Sequence, residues 1–411
     1  MKIAIMSDFH LGYEPDGRGD EAFNQIVSAF NLALEQKPDF IIAPGDLFDK
    51  DVPSQETWVQ AFKVFSIPRN AEKAGVKISK HFRDGEVREI TFSGIPIIAI
   101  HGTHEFRGKD FRNAVEVLES AGFVVYLHGN HAMIEKGGEK IAVHGFSGVP
   151  EKKALDVLKM LDFKPVQGAK NIIVMHQSFK ELLPFDDEMV ATLSIPDLPE
   201  GFDLYVNGHF HWNSELNENG RRFVIPGSTV VTQMKQLESQ KQKMILVFDS
   251  ETGKIEEKII PGQRKLYYRK MKFENASVTE VMEAVRKELT QILGLHQDSL
   301  VPLIRLKLVG TLAKGFSPGD VSTEELLSDF KGKAVFSVSK DFSSISFKAK
   351  MTELSELQKS RKSVSQLGLE ILEKNLEETS FNKAFDFRRI FELLEKGETE
   401  KVVEILSGKT D

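Results

Sequence analysis

Residues able to hold a metal ion recur at the ends of apolar runs through the first half of the chain. Asp8 and His10 follow KIAIMS, Asp46 and Asp49 follow DFIIAPG, and His104 and Glu105 follow IPIIAIHGT. His176 follows NIIVM, and His209 and His211 follow FDLYVNG. Carboxylate oxygens mixed with imidazole nitrogens suit hard to borderline divalent cations. In extended backbone, positions two apart share a face, so Asp8 with His10, and His209 with His211, each present two donors together. Asp46 follows Gly45, whose missing side chain lets the backbone come close to a ligand. One carboxylate placed there can bridge two cations held about 3.5–4 Å apart. A single motif of this kind is ordinary turn chemistry. Five in one order describe a two-metal hydrolase site.

Such donors need strand ends to stand on. Up to about residue 265, short β-rich runs alternate with amphipathic stretches, as in KIAIM, DEAFNQIVSAFNLALEQ and DFIIAPGD, which is the grammar of an α/β domain. KISKHFRDGEVREITFSG reads as a hairpin-like insertion before IPIIAI. Gly129-Asn130-His131 competes with Gly102-Thr103-His104 for the third motif, since an Asn carbonyl can ligate a metal. Context favours His104: it ends a strongly apolar run and precedes the helix-like FRNAVEVLESAG, whereas Asn130-His131 lies inside a meander. His81, His101, His128, His144 and His296 have no comparable setting and are assigned to core or surface.

Composition narrows the chemistry further. With 411 residues, two or three domains are expected. The chain has no cysteine, which removes disulfides, thiolate zinc sites and cysteine nucleophiles. Its formal charge of −7 supplies no global attraction for nucleic acid, so DNA binding needs a local basic track or a partner. No apolar run approaches the roughly 20 residues that span a bilayer. The chain opens directly on KIAIM, leaving no room for a signal peptide, and a cytoplasmic location is expected.

The ordered set D-x-H, GDxxD, GTHE, H and GHxH resembles the calcineurin-like metallophosphoesterase superfamily. More narrowly, MKIAIMSDFHLGYE, GDLFDKDVPS, MHQS, DLPEGFDLYVNGHFH and IPGST resemble the DNA double-strand-break repair nucleases called Mre-eleven in archaea and eukaryotes and SbcD in bacteria. The motifs cover about residues 1–230. The resemblance implies an α/β, four-layer metallophosphoesterase sandwich with a small α+β capping domain and C-terminal helices. The expected divisions are 1–265 (nuclease), 266–349 (capping and DNA binding) and 350–411 (linker and helical ATPase-binding module). It also implies that Asp8, His10, Asp46 and His211 hold one cation, and that Asp46, His176 and His209 hold a second. Both would be manganese by family preference. His104 would be the catalytic imidazole, orienting the phosphate and protonating the departing sugar oxygen. DNA ends, double- and single-stranded, would be the substrate; a Rad-fifty-type coiled-coil ATPase and a second copy of the chain would be partners.

Two positions depart from that pattern. Thr103 stands where the family has an Asn completing the second cation's shell, and a hydroxyl is a weaker neutral ligand, so looser binding or a water in its place is expected. Asp49 stands where related nucleases often carry His, and its charge would repel a phosphodiester unless it serves a cation or a basic group. These departures motivate two alternatives, a DNA-end or ATPase-binding scaffold with attenuated catalysis and a phosphoesterase that does not act on DNA. Arg107, Lys109 and Arg112 offer phosphate contacts or merely a solvated helix face. In FDFRRIFELLEKG, Phe387, Ile390, Phe391 and Leu394 recur at helical spacing and form an apolar face for a partner. Gly408-Lys409-Thr410 is no Walker loop, because Val403 replaces its leading glycine, so ATP dependence needs another chain.

Overall fold

The computed structural model describes residues 1–344, except 16, 109–110 and 184–192, together with 389–390, 393–394 and 397–406. The first two-thirds runs β1 (Lys2–Ile5), α1 (Glu21–Glu35), β2 (Phe40–Pro44), α2 (Gln55–Arg69), β3 (Lys77–His81), β4 (Val87–Ile90), β5 (Ile97–Ile100) and α3 (Ala114–Ser120). It continues through β6 (Val125–Tyr126), β7 (His131–Lys136), β8 (Glu139–Phe146), α4 (Glu151–Leu161), β9 (Lys170–Met175) and β10 (Leu204–Asn207). Then come β11 (Ser214–Glu218), β12 (Arg221–Ile225), β13 (Met244–Asp249) and β14 (Ile255–Ile259).

These strands form two sheets, ordered β14-β13-β1-β2-β5-β6 and β11-β12-β10-β9-β8-β7-β3-β4. Their central strands are parallel, β1 with β2, β2 with β5, β8 with β9 and β9 with β10. A parallel strand covered on both faces reads as a continuous apolar run, and that explains KIAIM, FIIAP and NIIVM. Alternation divides each run between two cores. In β1, Ile3 and Ile5 enter the layer between the sheets, while Ala4 and Met6 face α1 and α2. In β9, Ile172 and Val174 enter the same layer, while Ile173 and Met175 face α4. The outcome is helix, sheet, sheet, helix: a four-layer α/β sandwich. The expected hairpin is β3–β4, and it joins the second sheet because β3 pairs with β7 and leaves β4 at the edge.

Further along lie β15 (Leu266–Ala276), α5 (Val278–Leu295), β16 (Leu303–Leu312), α6 (Thr323–Leu327), β17 (Val335–Ser344) and α7 (Thr399–Leu406). The strands form a third sheet in sequence order. Helix α5 buries Val281, Val285, Leu289 and Ile292, an i, i+4, i+8, i+11 stripe. By contacts the chain divides into two compact units. One is Met1–Met271 with Arg286–Lys307 and Thr323–Ser339; the other is Lys272–Val285 with Leu308–Ser322 and Lys340 onward. The segment SQLGLEILEKNLEE, together with Phe387 and Phe391, lies outside the described residues, whereas Ile390 is buried and Leu394 exposed. Among the described residues no helix is long and apolar enough to cross a membrane.

Because Ile172 fills the layer between the two sheets, Ile172→Ala is expected to cost about 2–5 kcal/mol of unfolding free energy. Denaturant titration checks this; a loss near zero would mean that the sheets do not share a packed core.

Candidate metal centre

The carboxyl ends of β1, β2, β5, β9 and β10 converge, the position at which parallel α/β sheets present ligands. The loops after β1 and β2 are tied together by backbone bonds. Asp8 N donates to Gly45 O at 3.1 Å, His10 N to Asp46 O at 3.0 Å, Leu11 N to Leu47 O at 3.0 Å and Asp49 N to Leu11 O at 3.0 Å. Asp8, His10, Asp46 and His209 all sit at left-handed φ, between 48° and 74°. Such backbone costs on the order of 1–3 kcal/mol per residue and persists where surrounding structure enforces it. Close approach also dictates two glycines. A Cβ on Gly102 would collide with the Asp46 carboxylate, and one on Gly208 would meet Pro44 O and lie 2.7 Å from His176 Nδ1.

Three groups of donors result, each with ligand atoms within 4.8 Å of one another: Asp8, His10 and His211; His10, Asp46 and His104; and Asp46, His176 and His209. Asp46 belongs to two of them. Its Oδ1 accepts from His104 N at 2.9 Å and its Oδ2 lies 3.1 Å from His176 Nε2. The first sheet contributes Asp8, His10, Asp46 and His104, and the second contributes His176, His209 and His211.

Every imidazole has its far nitrogen held. His10 Nδ1 donates to Asp49 Oδ1 at 3.1 Å, His176 Nδ1 to Pro44 O at 2.7 Å and His104 Nδ1 to Asp49 O at 2.7 Å. His209 Nε2 meets Ser178 Oγ at 3.0 Å, and His211 Nδ1 meets Thr232 Oγ1. The carboxylate and carbonyl acceptors place a proton on the far nitrogen of His10, His176 and His104, and all five contacts orient the rings, as the outer contacts of metal sites do.

The donors fit divalent cations. Asp8 Oδ2 is fully buried without a hydrogen-bond partner, and His10 Nε2 lies 3.2 Å from His211 Nε2. An orphaned carboxylate oxygen is costly to bury unless positive charge is brought to it, and the two imidazoles beside it supply nitrogens through which a cation could be shared. Electrostatics agree. Burial pushes Asp8 up to about 6, with the His176 charge opposing and Asp46 adding to the rise. Burial lowers His209 to about 4, helped by His176, and takes His211 well below its ordinary value, helped by His10. Both rings are therefore neutral at pH 7, with lone pairs available. His176 goes the other way: burial opposes protonation, but the Asp46 carboxylate raises it to about 10.

Other residues brace the site from behind its donors, and Glu105, which ends the GTHE motif, is one of them. Glu105 is completely buried, its Oε1 accepting from Phe48 N at 2.7 Å and its Oε2 from Gly102 N at 2.8 Å, so it buckles the β2 loop to the β5 loop. Burial pushes it up to about 8, with the Asp46 charge adding. Lys243 and Glu238 form a buried pair at 2.7 Å; Lys243 also donates to His211 O, and Glu238 accepts from Thr232 N at 3.2 Å. That pair sets the segment on which Thr232 meets His211. Nothing in the run QLESQKQKM signals it. Thr103 is half-buried between Gly102 and His104.

Asn130 and His131 lie elsewhere. Asn130 Oδ1 accepts from His128 N at 3.0 Å, and His131 stacks on His81 and on His144 at 4.7 and 4.9 Å. His101 bonds Tyr126 and Gly148, and His296 bonds Leu300 O. Arg112 pairs with Glu116 at 2.9 Å and Arg107 covers the Phe111 ring, while Lys109 is outside the described residues.

The fold and the donor set define a metallophosphoesterase, and residues 1–213 match the calcineurin-like phosphoesterase family, to which the chain belongs. Among individual proteins it is similar to the DNA double-strand break repair protein Mre11 of Sulfurisphaera tokodaii, at 27% identity over 59% of this chain and 57% of that one. Mre11 of Rattus norvegicus is 28% identical over 60% of this chain and 39% of its own length. The Aeropyrum pernix protein is 23% identical over 74% and 72%. The chain thus spans little more than half of the first archaeal relative and under half of the rat protein.

Two outcomes follow from this geometry. Because the Asp46 carboxylate raises His176 to about 10, a divalent cation taking Nε2 competes with a proton there, and apparent affinity is expected to rise with pH through the neutral range. Calorimetric titration with Mn2+ in buffers of differing ionisation enthalpy checks the proton release; a heat independent of buffer refutes it. Glu105→Ala strands two buried amides at about 1–3 kcal/mol each and should lower stability by roughly 2–6 kcal/mol. An unchanged denaturation midpoint would show that Glu105 is not the buckle between the loops.

Proposed function

We propose that the chain is a two-cation DNA phosphodiesterase that processes DNA ends, double- and single-stranded, in double-strand-break repair. The observation that carries this reading is that Asp46 belongs to two ligand groups, one with His10 and His104 and one with His176 and His209, beside a third of Asp8, His10 and His211. The similarity to Mre11 proteins supports DNA as the substrate. Asp8, His10, Asp46 and His211 would hold one cation. Asp46, His176 and His209 would hold the other, with Thr103 at its neutral-ligand position, and Mn2+ suits the mixed oxygen and nitrogen donors. When bound, such cations lower the pKa of water and neutralise charge that builds on phosphate. The protein's own part is positioning. His104, fixed through Nδ1 to Asp49 O, presents Nε2 to the phosphate and delivers a proton to the departing sugar oxygen.

The assembly reading is that of residues 1–265 as nuclease, 266–349 as a capping DNA-binding domain and 350–411 as a module for a Rad-fifty-type coiled-coil ATPase. A homodimer through the helices after the early motifs is supported by Val59 and Phe62 on α2 and Val117 on α3. All three are large apolar side chains left 40–52% exposed.

Linear DNA incubated with Mn2+ tests the activity. His104→Ala should cut about 10²–10⁴-fold more slowly than wild type while still binding two cations, with or without the ATPase. Equal cutting removes His104 from the chemistry. Thr103, with a hydroxyl where an amide would be the stronger ligand, favours a second reading, a DNA-end scaffold, which tight binding of fewer than two cations would support.

A further inference from the structure

The geometry points to Asp49 as a positioning residue that serves two different imidazoles at once, His10 through its carboxylate and His104 through its backbone carbonyl. The inference rests on the two-cation reading above. Asp49 is held where it can do both. Its amide donates to Leu11 O at 3.0 Å, one of the bonds tying the β1 loop to the β2 loop, so its main chain is fixed beside His10. From there Oδ1 accepts from His10 Nδ1 at 3.1 Å and the carbonyl oxygen accepts from His104 Nδ1 at 2.7 Å. The rings of His10 and His104 meet edge-on at 4.7 Å, so neither can turn without moving the other.

The two contacts have different chemistry. The carboxylate holds the proton of His10 on Nδ1, which leaves Nε2 as the lone-pair nitrogen aimed at Asp8 and His211. The carbonyl is the shorter contact to His104 and fixes its orientation, while the carboxylate Oδ1 lies 3.9 Å from the same nitrogen. The Asp49 side chain is 21% exposed, yet its charge points at His10 rather than outward. A negative group beside a phosphodiester site is thereby turned to ligand orientation.

Side-chain replacement separates the functions, because it removes the carboxylate and keeps the carbonyl. Mn2+ binding to the full-length chain, read by electron paramagnetic resonance of the free ion, is the readout, and it does not depend on DNA cleavage. Asp49→Ala is expected to weaken one of two cations by about 10–100-fold and leave the other unchanged. Asp49→Asn, whose amide oxygen still accepts from His10 Nδ1, should recover most of that loss. Wild-type affinity for both cations in Asp49→Ala overturns the inference. So does Asp49→Asn binding as weakly as Asp49→Ala, which would make the charge itself the requirement. Wild-type protein that binds no Mn2+ would instead overturn the two-cation reading.

Discussion

The site depends on the burial of one carboxylate. Asp46 ends a strand with both faces covered, at left-handed φ, against a glycine whose Cβ would occupy its place. Water cannot solvate it, so every compensating interaction comes from protein: the His104 amide on Oδ1 and the His176 ring beside Oδ2. A buried anion is tolerable only when matched by positive charge or hydrogen bonds. The Asp46 carboxylate accordingly favours the protonated form of His176 beside it. The strained loops, the close-packed glycines and the histidine pairs follow from placing such an anion between two sheets and bringing neutral nitrogens to it.

Around that carboxylate the protein is over-determined. Each imidazole is aimed by a contact on its far nitrogen, and the acceptors differ in kind: a carboxylate for His10, carbonyls for His176 and His104, hydroxyls for His209 and His211. Behind them, Glu105 joins two loops of the first sheet, and Lys243 with Glu238 braces the segment that carries Thr232. Buried polar groups of this kind are costly when half-satisfied and rigid when complete.

Much of this was legible in the residues alone. Continuous apolar runs ending in Asp or His can come only from strands covered on both faces, and the sandwich supplies those covers. The preference for Gly102-Thr103-His104 over Gly129-Asn130-His131 rested on context, and the structure separates the two sites: His104 joins Asp46, while His131 stacks among imidazoles. What could not be read was long-range. Glu105 contacts Phe48 across 57 positions, and Thr232 meets His211 only because a buried ion pair shapes the segment between them. The β3–β4 hairpin looked separable because β4 is polar, but an edge strand is allowed polar faces that a central strand is not. Arg112, weighed as a phosphate contact or a solvated face, is exposed and pairs with Glu116 in the first turn of α3.

The division of donors between the sheets has a mechanical side. Asp8, His10 and Asp46 ride on one sheet and His176, His209 and His211 on the other, and the layer joining those sheets is apolar and without direction. Cations shared across that layer would act as cross-links, adding to fold stability in proportion to the logarithm of their concentration over their dissociation constant. Metal supply would then govern the chain's persistence as well as its chemistry. A mutation that loosens the sandwich far from the strand ends would show itself first as a protein hungrier for metal.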